Sequence, residues 1–152
     1  MRMLRFPTVH DPSGNLTWIQ GDAVPFVVKR QFYLHDVPTG ARRGGHAHHE
    51  LQEVVIALSG SFCVVTRDED GWHRWPLERP DSGLYIGPHV WRYLADFSSN
   101  AVALILASTL YDAADYIRGE AAFVASLLVP APGYFERRAQ ADSLRDLQAV
   151  ER

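Results

Sequence analysis

Cysteine and lysine are almost absent: one of each, Cys63 and Lys29, in 152 residues. A lone thiol cannot build a disulfide framework within the chain. Cys63 falls in the apolar run Phe62-Cys63-Val64-Val65, where a small buried hydrophobe is expected. This usage fits a reducing, cytoplasmic setting. Long apolar runs are missing as well. Pro7 interrupts the amino terminus before any leader-like stretch, and the most apolar later segment, Ala101 to Ala107, is far short of the roughly 20 residues a bilayer requires. No membrane span is expected. An excess of one charge is also lacking, since 15 cations against 18 acids leave a formal −3, so a general nucleic-acid surface is not expected. Fourteen of the cations are Arg, whose planar fork suits two-pronged capture of phosphate.

What is present is the make-up of one ordinary globular domain, 47% hydrophobic and 22% charged. A chain of this length buries roughly 70% of its unfolded surface around one core. Between residues 16 and 110, short runs rich in Val, Ile, Phe and Tyr alternate with Gly, Pro, Asp and Ser. They predict strands at Leu16 to Ile19, Phe26 to Leu34, Val54 to Leu58, Phe62 to Thr66, Trp72 to Pro76, Gly83 to Ile86 and Val102 to Ser108. That spacing is the signature of an all-β barrel or sandwich. After Tyr111 the period changes: Asp112 is placed to cap a helix whose apolar face holds Tyr116, Ile117, Phe123, Val124, Leu127 and Leu128, ending by Pro130. The reading is one domain over 1–130, followed by a tail or short helix over 131–152.

The chemistry concentrates in Gly40-Ala-Arg-Arg-Gly-Gly-His46-Ala-His48-His-Glu-Leu-Gln-Glu53, with Gly60 beyond it. Residues i and i+2 of a strand share a face about 6.6 Å apart. His46 and His48 therefore point together into the barrel, with Ala47 and His49 turned away. The spacing resembles the first motif of the cupin superfamily, whose metal-binding members use the two His and the Glu as ligands. The second cupin motif is incomplete here, because Gly83-Leu-Tyr-Ile-Gly-Pro88-His89-Val-Trp91-Arg92-Tyr93 carries Arg92 or Tyr93 where a further His ligand would stand. Like charge from Arg92 disfavours a metal ion. Two imidazoles on one wall remain, and imidazole suits proton transfer near neutral pH.

A narrower resemblance rests on Pro25-Phe-Val-Val-Lys-Arg30-Gln-Phe-Tyr33, Arg43-Gly-Gly-His46-Ala-His48, Leu58-Ser-Gly-Ser-Phe62, Gly83-Leu-Tyr-Ile86, Val90-Trp91 and Tyr111-Asp-Ala-Ala-Asp115-Tyr-Ile-Arg118. From about Asp11 to Phe123 the chain resembles the dTDP-4-oxo-6-deoxyglucose 3,4-ketoisomerases. The resemblance implies a cupin, RmlC-like double-stranded β-helix jelly roll with a C-terminal helix. It also implies a site without metal or other cofactor, a homodimer that exchanges amino-terminal strands, and a place in deoxysugar synthesis. Three departures stand out: Glu53 replaces a usual Gln, Gly87 and His89 replace Pro and Gly, and Arg92 replaces a His beside Trp91.

On this reading the keto group of a dTDP-linked 4-oxo-6-deoxyhexose moves from C4 to C3 through an enediol. His48 is the candidate base, and His46 or the Tyr33 hydroxyl acts at the carbonyl oxygen. Arg43 and Arg30 are the candidate diphosphate ligands. For stacking against base and sugar, Trp91, Tyr93, Tyr85 and Phe32 are available, with Trp91 among the candidate substrate-binding residues, and Glu53 is a further polar group in the cavity. Asp112 and Asp115 read as helix-start residues. Two alternatives stay open: a metal-dependent cupin enzyme using His46, His48 and Glu53, and a non-catalytic sugar-nucleotide binding module.

Overall fold

The structure is a computed structural model that describes residues 1–128, so the expected tail over 131–152 lies outside the described residues. Twelve strands run in order along that stretch: β1 (Arg2–Arg5), β2 (Thr8–Asp11), β3 (Gly14–Thr17), β4 (Arg30–Leu34), β5 (Arg43–His48), β6 (Glu53–Ser59), β7 (Phe62–Asp68), β8 (Gly71–Leu77), β9 (Ser82–Ile86), β10 (Trp91–Ala95), β11 (Val102–Ala107) and β12 (Tyr116–Arg118). One helix, α1 (Glu120–Leu128), follows. The strands form two antiparallel five-stranded sheets, ordered β1-β9-β6-β11-β4 and β12-β5-β10-β7-β8, with β2 and β3 as a separate hairpin. Strands consecutive in sequence often lie in opposite sheets, as a jelly roll requires.

Three apolar layers hold this together. Between the sheets, Val55, Phe62, Val64, Leu84, Ile86, Leu94 and Ile105 form the central core. The alternate residues of the first sheet, Val54, Ile56, Tyr85 and Leu106, are covered by Leu4, Phe6 and Val24 from the amino-terminal stretch. On the outside of the second sheet, α1 lays Phe123 over Ala47, Trp91 and Ile117. Strict alternation along each strand thus fixes which side chains enter the interior.

Several boundaries differ from expectation, each for a physical reason. The strand expected over Phe26 to Leu34 begins only at Arg30, because Arg30 pairs with Ala107, the last residue of β11. Beyond that point Lys29 still donates to the Ala107 carbonyl at 2.9 Å, but Ser108 turns away to Gln52, and Val27 and Val28 lie exposed. The helix expected from Asp112 starts eight residues later. The Asp112 carboxylate caps a single 3-10 turn, Ala113–Asp115, by accepting the Ala114 N–H at 2.9 Å. Tyr116–Arg118 then runs extended along β5, and Gly119, at φ +88, separates it from α1. Tyr116 and Ile117 are therefore strand residues. Among the described residues no helix is long and apolar enough to cross a membrane.

Candidate active site

Gly44 and Gly45 open β5 in the left-handed region, at φ +92 and +85. A Cβ on Gly44 would stand 3.3 Å from both the Arg92 carbonyl oxygen and the Tyr93 Cα. The ladder between β5 and β10 accordingly slips between Arg92 and Tyr93, a bulge that re-aims the strand just before its histidines. From there the alternation is clean. Ala47 is fully buried under α1, while His46 and His48 face the interior with ring centroids 4.9 Å apart, edge to face.

Strand β12 supplies the neighbours. Tyr116 pairs with His48, and Arg118 with His46, so both share the histidines' face while Ile117 packs with Ala47 under the helix. The Tyr116 ring lies 4.2 Å from the His48 ring and 4.8 Å from that of His46. The Arg118 guanidinium sits over Tyr116 at 4.5 Å, and Tyr111 packs on its other flank at 5.7 Å. Across the interior, Arg30 faces inward on the same side as Leu34 and stacks its guanidinium over Phe32 and Tyr111. Its Nε is buried without a hydrogen-bond partner.

Beneath the histidines, Arg92 enters from β10 and Glu53 from β6, both buried. The Arg92 Nε donates to Glu53 Oε1 at 2.8 Å, and its Nη1 reaches the carbonyl oxygens of His46 and Val90 at 3.3 and 3.4 Å. The Glu53 carboxylate is thus engaged by a resident cation. Among the described residues no three His, Cys, Asp or Glu side chains are arranged to hold a metal ion.

Burial, then the charges of Arg92 and Arg118, lowers His46 from the usual 6.5 to about 3. Burial, followed by Arg92, His46 and Arg30, lowers His48 to about 2, against a small opposing effect from Asp115. Both imidazoles are neutral across the physiological range, each with one lone pair to offer. Asp115 ties this arrangement to the turn after β5. Its carboxylate accepts the Glu50 and Leu51 N–H groups at 2.8 and 3.2 Å and approaches His48 Nδ1 at 2.9 Å.

Of the residues singled out from sequence, the fold brings together His46, His48, Arg30 and Glu53. It separates three others. Tyr33 alternates with Phe32 and pairs with Leu104, on the outer face of the first sheet; it is 63% exposed and turned away from the histidines. Trp91 points out of the second sheet, its ring 5.9 Å from that of Phe123, and serves the core under α1 instead of a stacking platform. Arg43 is exposed at the start of β5. His49 leaves the strand and packs its ring on His89 at 5.5 Å. Sequence reasoning missed Tyr116 and Arg118, and read Asp115 only as a helix start. The signal was Gly119, which detaches Tyr116-Ile117-Arg118 from the helix and lets it alternate as a strand.

With this geometry in place, likeness to known proteins is informative. The family model described as "FdtA: WxcM-like, C-terminal" matches residues 1–127. The TDP-4-oxo-6-deoxy-alpha-D-glucose-3,4-oxoisomerase of Aneurinibacillus thermoaerophilus is 39% identical over 118 residues, spanning 77% of this chain and 85% of that protein. The crystal structure of QdtA, a sugar 3,4-ketoisomerase from Thermoanaerobacterium thermosaccharolyticum in complex with TDP, superimposes with a TM-score of 0.81 at 38% identity, over 84% of this chain and 93% of QdtA. A histidine-to-asparagine mutant of the same enzyme, in complex with TDP-4-keto-6-deoxyglucose, gives a TM-score of 0.82 at 36% identity, over 86% of this chain and 96% of that one.

Proposed function

The chain belongs to the FdtA family of sugar 3,4-ketoisomerases, and from that premise we propose that it moves the keto group of a TDP-linked 4-oxo-6-deoxyhexose from C4 to C3 by proton transfer between its own imidazoles and the sugar. The observation that carries this is the pair of neutral histidines on one strand face, held among guanidinium groups. The carbonyl at C4 acidifies the C3 hydrogen. His48 removes that proton, and the electron pair left at C3 becomes the C3–C4 double bond of an enediolate as negative charge moves to O4. Protonation at O4 gives the enediol. Loss of the O3 proton and delivery of a proton to C4 then leave the ketone at C3. Hydrogen has moved between two carbons and no redox partner is consumed.

Burial is the main cause that keeps both imidazoles neutral, and the positive field that adds to it favours the enediolate: Arg92 acts on both histidines, Arg118 on His46 and Arg30 on His48. His46 handles the protons on oxygen, with the Tyr116 hydroxyl in the position first expected of Tyr33. Arg30, with its unbonded buried Nε, and Arg118 flank the Tyr111–Tyr116 pair as the two diphosphate ligands. Arg118, after Arg92, is felt at His46, whereas Arg43 lies exposed at the start of β5. A bound diphosphate offsets part of this field and so makes His48 a stronger base once substrate is in place. A homodimer suits the apolar surface that one chain leaves open at Val9, Leu16, Val27 and Val28.

The test is incubation with TDP-4-oxo-6-deoxyglucose in deuterated water, read by proton spectra of the sugar. Deuterium should enter at C4 of a 3-oxo product, and His48→Asn should lose this activity while still binding TDP. Binding with no deuterium uptake by the unaltered protein would mark a binding module and refute the proposal.

A further inference from the structure

Between the 3-10 turn and β12, Asp115 meets the end of β5 at four points. Its carbonyl oxygen accepts the His49 N–H at 3.0 Å, and its carboxylate accepts the N–H groups of Glu50 and Leu51. The fourth point is His48, whose Nδ1 lies 2.9 Å from Oδ2. This is not a surface pair, since the two side chains are 2% and 12% exposed. The 2.9 Å approach lies outside hydrogen-bond geometry, so Nδ1 is buried beside the carboxylate without a formed bond, and the Asp115 backbone also favours the protonated ring. The His48 backbone is held as well, because its carbonyl oxygen accepts the His89 N–H at 2.8 Å.

We propose that Asp115 is the positioning residue of this site: its carboxylate holds His48 in the tautomer that carries hydrogen on Nδ1, so that Nε2 presents the lone pair that takes the proton from the sugar. The inference rests on the ketoisomerase reading above for its consequence, though not for the tautomer itself. An ionised carboxylate only accepts hydrogen bonds. The other tautomer would set the Nδ1 lone pair against that carboxylate in a nearly dry setting, which is repulsive. The Tyr116 ring packs edge-on against the imidazole at 4.2 Å and limits its rotation. When Nε2 takes the C3 proton, the resulting imidazolium has a carboxylate already beside it. That contact stabilises the charged intermediate in surroundings that otherwise disfavour it, where Arg92, His46 and Arg30 all act against protonation.

Asp115→Asn separates this role from a merely structural one. The amide oxygen, in the Oδ1 position, can still accept from the Glu50 N–H; the amide nitrogen, in the Oδ2 position, gives up the longer Leu51 contact, offers hydrogen to Nδ1 and favours the tautomer with hydrogen on Nε2. The expected result is a melting temperature close to that of the unaltered protein, KM within about twofold, and kcat lower by on the order of 10²-fold or more. Long-range proton–nitrogen spectra of labelled protein, with His48 assigned by its loss in His48→Asn, should show Nε2 unprotonated in the unaltered chain and protonated in the variant. An unaltered chain with hydrogen on Nε2 overturns the proposal. So does a variant that keeps full kcat, or one that loses kcat with its tautomer unchanged. Should the variant fail to fold, the spectrum of the unaltered protein still decides. That spectrum needs no substrate, so it is independent of the deuterium experiment that tests the isomerase reading.

Discussion

Arg92 and Glu53 are two of the places where the sequence departs from the pattern it resembles, and in the fold they are each other's partner. The two meet at 2.8 Å with side chains 3% and 8% exposed. Taking two charges out of water costs several kcal/mol each, which their attraction and the carbonyl contacts of Arg92 offset. Removing one partner alone is the harsh case. Glu53→Ala should destabilise the protein by about 3–5 kcal/mol in urea unfolding, because it leaves a guanidinium buried and unpaired. Replacing both, as Arg92→Met with Glu53→Leu, should recover most of that loss, since no unpaired charge remains. If the single variant unfolds at the urea concentration of the unaltered protein, the pair does not have the weight assigned to it.

At the level of elements, the site depends on how β5 is bent and on what lies along its free edge. At the Gly44 bulge the backbone of β10 comes so near that a Cβ would have to displace it by a few tenths of an ångström, at a φ that L-residues rarely adopt. Gly44→Ala should therefore cost about 1–3 kcal/mol from backbone strain and also lower kcat, because His46 and His48 take their aim from this bend. A variant with unchanged urea midpoint and kcat would show that the strand absorbs the methyl group. Much of this was legible in the sequence, since the alternation of His46, Ala47 and His48 specified a shared face and the flanking glycines marked a special backbone. Other parts were not, for definite reasons. Three residues, Tyr116-Ile117-Arg118, are too few to tell a period of two from a period of 3.6, so the helical spacing of Phe123, Val124 and Leu127 absorbed them. Tyr33 could be placed on a strand, but whether it faced inward depended on its register with β11, a long-range pairing, and β10, which carries Trp91, was not among the expected strands. The partnership of Arg92 with Glu53 likewise joins residues 39 apart in sequence across the two sheets.

Across the whole molecule, the interior between the sheets divides into an apolar end built on Phe62, Leu84 and Ile105 and a polar end built on His46, His48, Glu53 and Arg92. Folding therefore has to take two imidazoles in neutral form out of water beside a cation, His48 fully and His46 in part. In the unfolded chain each takes up a proton near pH 6.5, whereas in the fold His46 does so only near 3 and His48 near 2. Between those limits the unfolded state binds more protons than the folded state, so stability is complete above about pH 6.5 and declines as the pH falls. Each histidine contributes up to about 1.4 kcal/mol per pH unit, or about 3 kcal/mol for the pair at pH 5.5. Carboxylates held low by their partners, such as Asp81 beside Arg79, add their own loss only at more acid pH. Urea midpoints measured from pH 7.5 to 5 should therefore fall steadily in the unaltered protein, and the slope should be much reduced when both histidines are replaced by Asn. A flat profile in the unaltered protein would mean that the imidazoles become protonated inside the fold, and a base kept neutral by its surroundings could then not be the source of the chemistry.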